Sequence, residues 1–398
     1  MPIFISILEY TLLAYFIYVG IYTFMFGIAS IFYKSPQYPK TIKQSKFVVL
    51  IPAYKEDGVI ISVAEDALKQ NYPSENYDVV VIADSLQKST LAILHSLPIK
   101  CIEVSFEKST KVKALNVALE QLGDSYDFAV ILDADNLMEQ DFLSKMEVLH
   151  LKKSLKAIQG QRASKNDNSI LSFLDGLSEN INNNIYGKGS VTLSMSASLK
   201  GSGMSFEYDL LKSHLRDMSS IGGFDRELEL RLVRQGFKVF YAHNAVVKDE
   251  KVEKSEVFEN QRKRWISSQY YYLKKFFWTG MAALFKGQFT LFNSTVFRNI
   301  QLPRLINIGL INILAVCSFF FYSNYGISHF YLWLLCLLLI DIGVMLSISR
   351  PYYSWRLVSS ILSLPFIFLK MIILLFRLKG SNKKFIHTPH GSNESEKK

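Results

Sequence analysis

Four groups of polar side chains follow one another along this 398-residue chain, each in a setting that favours work on a diphosphate. Asp84 ends the apolar run 79–83, and Asp133 and Asp135 form an Asp-Ala-Asp directly after Phe128–Leu132. Asp225 stands in Gly222-Gly223-Phe224-Asp225-Arg226-Glu227, and Gln261-Arg262-Lys263-Arg264-Trp265 closes the set. Carboxylates at the carboxyl ends of successive buried strands lie where open α/β sheets bind ligands. Two carboxylates one residue apart supply hard oxygen ligands for a divalent cation that also holds a diphosphate, Mg²⁺ or Mn²⁺. Arginines beside a tryptophan add planar phosphate donors next to a flat apolar face. The chemistry these residues suit is metal-assisted transfer from a nucleotide diphosphate donor.

The elements that must hold them are legible from periodicity. Phe47–Ile51, Tyr77–Ile82, Lys100–Val104, Phe128–Leu132 and Ala157–Gln159 read as strands, with helices over Gly58–Gln70, Lys111–Leu122 and Gln140–Leu151 between them. Such alternation predicts an α/β domain with a mainly parallel sheet covered on both faces. The Asn- and Ser-rich stretch Ser164–Lys200 reads as a helix followed by a loop on the acceptor side. Each motif also has a plainer explanation. Asp84 alone could cap a helix, and Asp133 and Asp135 could lie in a solvated loop, although two such close carboxylates repel without a cation. Lys111 could be an ordinary surface lysine. Asp225 could be an N-cap with Glu227 and Glu229 in the first turn, which would also fix the carboxylate and keep it ionised for base catalysis. A basic patch beside a membrane would explain the arginines but not the Gln261 and Trp265 that flank them.

In this order the motifs resemble those of the membrane-integrated family-2 glycosyltransferases, the group of the hyaluronan, cellulose, chitin and poly-N-acetylglucosamine synthases and of ceramide glucosyltransferase. The resemblance covers about Lys46 to Trp265. It includes Ile51-Pro52-Ala53-Tyr54-Lys55-Glu56, Lys111-Val112-Lys113-Ala114-Leu115-Asn116, Gly201-Ser202-Gly203 and Val247-Lys248-Asp249-Glu250. Phe224 stands where the group usually has an acid. The resemblance implies a GT-A nucleotide-sugar fold and a set of roles. Glu56 and Asp84 would contact the uridine base and ribose, and Lys111 the donor phosphates. Asp135 would be the main metal ligand, with Asp133 on the nucleotide and sharing the metal. Asp225 would be the base, with Glu227 and Glu229 weaker candidates. Gln261, Arg262 and Arg264 would hold the diphosphate, and Trp265 would stack under the acceptor sugar. The implied reaction is an inverting transfer, from a UDP-sugar, that extends a polysaccharide, or alternatively glycosylates a membrane lipid once.

Membrane segments frame this domain. Residues 10–33 carry no charge, are long enough to span, and lack the basic start and cleavage site of a removable signal. Lys34, Lys40, Lys43 and Lys46 follow, which predicts an outside N-terminus and a cytosolic domain in the cytoplasmic (inner) membrane. No Asp, Glu, Lys or Arg occurs from Leu305 through Ile340, and Ser323–Gly326 breaks the run, which reads as a hairpin of two spans. The expected parts are an anchor (1–33), the cytosolic domain (34–265), an interfacial stretch (266–304), the hairpin (305–349), a membrane-associated helix (350–380) and a polar tail (381–398). In 266–304, Tyr270–Tyr272, Phe276–Trp278 and Phe285 interleave with Lys274, Lys275 and Lys286, a pattern of lipid–water boundaries that an amphipathic helix packed on the domain would also show. Arg356, Ser363, Lys370 and Arg377 recur every seven residues and draw a polar stripe along the apolar 357–376, which favours an in-plane or re-entrant helix over a span. The tail holds Lys379, Lys383 and Lys384, a Phe385–His390 segment loosely like the group's C-terminal Trp-x-Lys-Thr-x-Arg region, and a polar end that reads as disordered.

The net charge of +10 sits mostly beside the membrane segments and in the phosphate motifs. Anionic lipid and a nucleotide sugar account for it, and nucleic acid is not needed as a partner. Cys101, Cys317 and Cys336 show neither disulfide nor zinc spacing, and His387 and His390 are the only close pair of histidines. Three spans are few for a polymer channel, so a channel would require protomers to associate.

Overall fold

The computed structural model describes residues 3–39, 44–220, 222–253, 255–325 and 327–376. Lys40, Lys43 and the tail features from Arg377 onward lie outside the described residues. The helices are α1 (Ile3–Ile31), α2 (Ile60–Ala67), α3 (Lys88–Ser96), α4 (Lys111–Gln121), α5 (Phe142–Lys153), α6 (Ile170–Asn182), α7 (Ser190–Thr192), α8 (Tyr208–Arg216), α9 (Phe224–Arg234), α10 (Ser255–Phe285), α11 (Phe289–Phe292), α12 (Arg304–Tyr325), α13 (Ile327–Leu346), α14 (Trp355–Ile361) and α15 (Leu364–Phe376). The strands are β1 (Phe47–Tyr54), β2 (Tyr77–Asp84), β3 (Lys100–Val104), β4 (Phe128–Ile131), β5 (Leu137–Met138), β6 (Ala157–Ser164), β7 (Met204–Glu207) and β8 (Val239–Asp249).

One eight-stranded sheet runs in the order β3-β2-β1-β4-β7-β6-β8-β5. The β3-β2-β1-β4 half is parallel, as is the β6–β8 pair; β7 and β5 pair antiparallel and make the sheet mixed. Strand alternation builds both layers of the core. Val48 and Leu50 of β1 face Leu115 and Ala118 of α4 on one side, while Phe47, Val49 and Ile51 face α2 and α5 on the other. Ser164–Lys200 is more helical than expected: α6 begins at a Ser169–Ser172 capping box and passes into a π-helical turn, Asn183–Gly189, then α7.

Two helical segments, Ser6–Ile31 and Ile327–Leu346, are long and apolar enough to cross a membrane. The helix 304–320 is a shorter apolar segment. α14 and α15 pass the same test together but are bent by 51°. Leu13 and Phe16 of α1 pack on Trp333, Cys336 and Ile340 of α13. Small residues let these two helices approach: a Cβ on Gly27 would lie 2.5 Å from the Gly343 carbonyl oxygen. The polar stripe on α14 and α15 faces the sheet domain, since Arg356 pairs with Asp167 (3.0 Å) and Lys370 with Glu259 (3.2 Å).

α10 is a single 31-residue helix that carries both Gln261–Trp265 and the aromatic–basic stretch. Tyr272 and Phe276 pack on Leu230 of α9, and Ala283 packs on Val233, while Trp278 and Phe285 are among the most exposed apolar side chains. The stretch therefore has one face on the domain and another facing outward.

Candidate functional site

The parallel strands end beside one another, and their register sets the first half of the site. Tyr54 of β1 pairs with Asp84 of β2, and the Lys55 amide donates to the Asp84 carbonyl (3.1 Å). Lys55 (φ 56°) and Ser85 (φ 59°) both turn through the left-handed region there. Asp84 is buried, with Ser85 Oγ donating to its Oδ1 at 2.9 Å. Glu56 lies in the turn that opens α2, its carbonyl accepting from the Val59 and Ile60 amides.

β4 stops at Ile131, so Asp133 and Asp135 sit in a turn rather than on extended backbone, closed by the Asn136 amide donating to the Asp133 carbonyl (3.1 Å). The turn leaves Asp133 and Asp135 half-buried and buries Ala134 and Asn136 between and after them. Ser202 fixes it: its Oγ accepts from the Asp133 amide (2.9 Å) and from Asn136 Nδ2 (2.6 Å). Ser202 belongs to Gly201-Ser202-Gly203, where both glycines have positive φ (83° and 63°) and Gln159 Nε2 donates to the Ser202 carbonyl (2.9 Å).

The same loop gathers the other groups. Lys111 Nζ donates to Asp133 Oδ1 and, at 2.8 Å, to the Gly201 carbonyl. Its ammonium stands 5.0 Å from the ring centroid of Phe224, which is itself buried. A Cβ on Gly201 would lie 3.7 Å from Asp225 Oδ2. Asp225 is not the cap of α9; Gly223 (φ 66°) is, and Asp225 lies in the first turn. Burial raises its carboxyl above the usual carboxylate range and Asp133 adds to the rise, against Arg226, through both charge and backbone amide, and Lys111. The expectation of a carboxylate held ionised by its cap is therefore not met: Gly223 is the cap, and burial favours the protonated form.

α10 contributes unequally. Arg264 lies in the field of Asp133 and Asp225, whose charges offset part of the cost of burying its guanidinium; burial leaves its pKa below the usual arginine value. Arg262 instead donates to buried Asp175 on α6 and stacks between Phe258 and Trp265, 4.6 Å from the Trp265 ring centroid. Gln261 Oε1 is buried without a hydrogen-bond partner among the described residues. The structure thus brings Lys111, Asp133, Asp225 and Arg264 together and turns Arg262 toward α6.

Glu227 and Glu229 serve elsewhere. Glu227 binds Arg231 (3.0 Å), Lys275 (3.1 Å) and Tyr272 (3.1 Å); burial is outweighed by the Lys275 and Arg231 hydrogen bonds, and its carboxyl falls below the usual range. Glu229 is buried against Arg298 at 2.8 Å. Sequence reasoning singled out Gly201-Ser202-Gly203 but not the role of Ser202, and it missed Gln159, Arg226 and a buried charged layer beside the site in which Lys200 meets Glu179 (2.6 Å) and Lys251 meets Asp249 (2.8 Å). Asp249 falls in the Val-Lys-Asp-Glu motif; the buried lysines carried no sequence signal.

Among the described residues no three His, Cys, Asp or Glu side chains cluster as a metal cage. Asp133 and Asp135 fit an ion that takes one or two carboxylates and completes its shell with phosphate and water.

The profile of the family described as glycosyltransferase like family 2 matches residues 44–268. A Methanococcus voltae dolichyl N-acetyl-α-D-glucosaminyl phosphate 3-β-D-2,3-diacetamido-2,3-dideoxy-β-D-glucuronosyltransferase is 26% identical over 222 residues, 50% of this chain and 64% of that protein. The Staphylococcus aureus poly(ribitol-phosphate) β-N-acetylglucosaminyltransferase TarS is 28% identical over 102 residues, 25% of this chain and 18% of its own length. The chain thus spans less than two thirds of the curated relatives it matches. A Pyrobaculum calidifontis mannosyltransferase, solved with GDP-Man and Mn²⁺, superposes with a TM-score of 0.57 at 15% identity, covering 93% of this chain and 97% of that one. That likeness extends the shared fold beyond the sheet domain into the apolar helices.

Proposed function

Because the chain belongs to the glycosyltransferase-like family 2 and has a GT-A fold, we propose that it transfers a sugar, with inversion, from a UDP-sugar to a lipid-linked acceptor at the cytoplasmic membrane. The convergence of Lys111, Asp133, Asp225 and Arg264 around Gly201–Gly203 carries this reading. Glu56 and Asp84 receive the nucleoside, and Lys111 and Arg264 bind the diphosphate. Asp133 and Asp135 would hold Mg²⁺ or Mn²⁺, which when bound would neutralise charge on the diphosphate. Gln261 and Arg262 act one layer out, Arg262 by setting the plane of Trp265 as the acceptor platform. Asp225 takes the proton from the acceptor hydroxyl as its oxygen attacks the anomeric carbon from the face opposite the diphosphate. A single displacement turns an α-linked donor into a β-glycoside. Arg264 meets the negative charge that grows on the leaving oxygen.

α1, the α12–α13 pair and the outward face of α10 hold the enzyme to the bilayer as a multi-pass protein with the sheet domain in the cytosol. α14 and α15 lie in the plane or re-enter, with their polar stripe on the domain. A polysaccharide product is the second reading. The backbone contact of Gly27 with Gly343 favours a lipid acceptor, since it leaves no lumen between these two spans, and a polymer path would need associated protomers. Membranes containing the chain, given a panel of nucleotide sugars, should yield one glycolipid. A ladder or polymer would move the assignment to the second reading, and no transfer from any donor would refute both.

A further inference from the structure

Arg226 directly follows Asp225 in the first turn of α9. It is half-buried, and Asn299 clamps it: Arg226 Nη1 donates to Asn299 Oδ1 (2.5 Å). Asn299 is fixed in turn, since its Nδ2 donates to the Ser294 carbonyl (2.6 Å) and its own carbonyl accepts from Gln269 Nε2 (3.0 Å). Among the described residues no carboxylate reaches ion-pair distance of Arg226, and its Nε and Nη2 make no hydrogen bond. Lys200, Lys251, Arg262 and Arg298, beside the same site, each meet a carboxylate. Arg226 is thus oriented by a neutral amide, with its charge left unanswered.

Its side of the site follows from its neighbours. Asp133 acts on Asp225 and on Arg264, whereas the charges that act most on Arg226 are Arg298, Asp225 and Glu229. Asp225 therefore stands between Arg226 and the Asp133 turn. Gln269, which reaches Asn299, lies one turn from Trp265 on the same face of α10. Arg226 is accordingly on the Trp265 side, where the proposed reaction puts its acceptor, and away from the donor diphosphate. Burial, and Arg298 next, disfavour its charged form, and an anion from outside the chain would offset that cost. Water can accept from the two open nitrogens but brings no charge. Nε and Nη2 together form the edge of a guanidinium that takes two oxygens of a phosphate or carboxylate. We propose that Arg226 binds an oxyanion of the acceptor, a phosphate or carboxylate close to the attacking hydroxyl, and so selects acidic acceptors. The inference rests on the transferase reading above and adds the acceptor's charge to it. Arg226 is then a specificity-determining residue, and the proton still goes to Asp225.

The test uses the full chain in phosphatidylcholine nanodiscs, with and without saturating UDP and Mn²⁺ to fill the donor half. Native mass spectrometry reads the retention of three amphiphiles with the same tail: decyl phosphate, decyl glucuronide and neutral decyl glucoside. At least one anionic probe should be retained about tenfold over the glucoside. Arg226→Gln should erase that preference, and Arg226→Lys, which keeps the charge, should recover part of it. A preference for decyl phosphate assigns the oxyanion to a lipid phosphate; one for decyl glucuronide assigns it to a carboxylate on the acceptor sugar. Equal retention of all three, a preference that survives Arg226→Gln, or a Lys variant as poor as the Gln variant would overturn the proposal. Thermal melting reports whether each variant is folded. Hydrolysis of a nucleotide sugar by the unsubstituted chain separates the two ideas: hydrolysis without an Arg226-dependent preference sinks this proposal alone. An Arg226-dependent preference in a chain that neither binds UDP nor hydrolyses a nucleotide sugar sinks the transferase reading alone.

Discussion

Asp225→Asn separates chemistry from binding. The substitution keeps the side chain's size and shape in its half-buried first-turn position and removes only the ability to take a proton. Loss of a positioned general base costs roughly 10²–10⁴ in rate, or about 3–5 kcal/mol of barrier at 1.36 kcal/mol per factor of ten. Donor affinity should hold, because the lost charge faces Lys111 and Arg226, and removing it leaves the site more welcoming to an anionic diphosphate. The pH profile supplies an independent check. A protonated carboxyl cannot act as base, so activity should fall with falling pH through a midpoint above the ordinary aspartate value of about 3.9. Burial is the main reason that midpoint is raised. UDP release at saturating acceptor measures kcat, and calorimetry with UDP measures binding. Near-normal turnover in Asp225→Asn, or an acid limb that survives the substitution unchanged, would refute the assignment. Glu227 offers no reserve base, since Arg231, Lys275 and Tyr272 already occupy it.

Three further outcomes follow from named contacts. Asp135→Asn should weaken UDP binding in Mn²⁺ and leave binding in chelator as it was, by calorimetry; metal-dependent affinity that persists would remove Asp135 from the ion. Arg298→Met strands the buried Glu229 carboxylate and should destabilise the chain by about 3–5 kcal/mol in denaturant titration, with Glu229→Gln recovering part of the loss when added; an unchanged midpoint would mean the 2.8 Å pair contributes nothing. A Cβ on Gly20 lies 3.1 Å from Leu339 Cβ, so Gly20→Cys with Leu339→Cys should oxidise to a disulfide, and Gly27→Leu should prevent it by driving α1 off α13; cross-linking that survives Gly27→Leu would contradict the backbone contact.

The sheet was legible because its strands are buried on both faces and bounded by turn residues, so Val48 and Leu50 could be told from Phe47, Val49 and Ile51 by alternation alone. That placed Asp84 and the Asp133–Asp135 pair at strand ends, while the turn that holds the pair was not legible. The sequence did not announce partners distant along the chain. Ser202 reaches back 69 residues to the Asp133 amide, and Arg262 reaches back 87 to Asp175. Neither residue sits in a local pattern that predicts such a partner, and an arginine in a phosphate motif looks the same whether it faces a diphosphate or a buried carboxylate. The polar stripe on α14 and α15 was visible as a period of seven, but its direction toward Asp167 and Glu259 was not. The expected Asp225 cap failed for a local reason: Gly223 can enter the left-handed region that ends the preceding turn, and it takes the cap instead.

α10 explains why the sheet domain and the apolar helices act as one body. Near its start Glu259 pairs with Lys370 of α15; a turn later Arg262 is tied to α6 and Arg264 faces Asp225; three turns further on Lys275 holds Glu227 of α9. Asp225 on α9 and Trp265 are therefore set by one element with contacts on both sides of the candidate site. A helix rises 1.5 Å per residue, so Trp265 stands no more than about 20 Å along the axis from Trp278. On the proposed function, with the Trp278–Phe285 face resting on lipid, the acceptor hydroxyl would be held within that height of the bilayer surface. A tethered acceptor meets such a limit without leaving the membrane, whereas a free sugar would gain nothing from it. On that reading the helix that carries Trp265 would also favour acceptors that arrive by lateral diffusion.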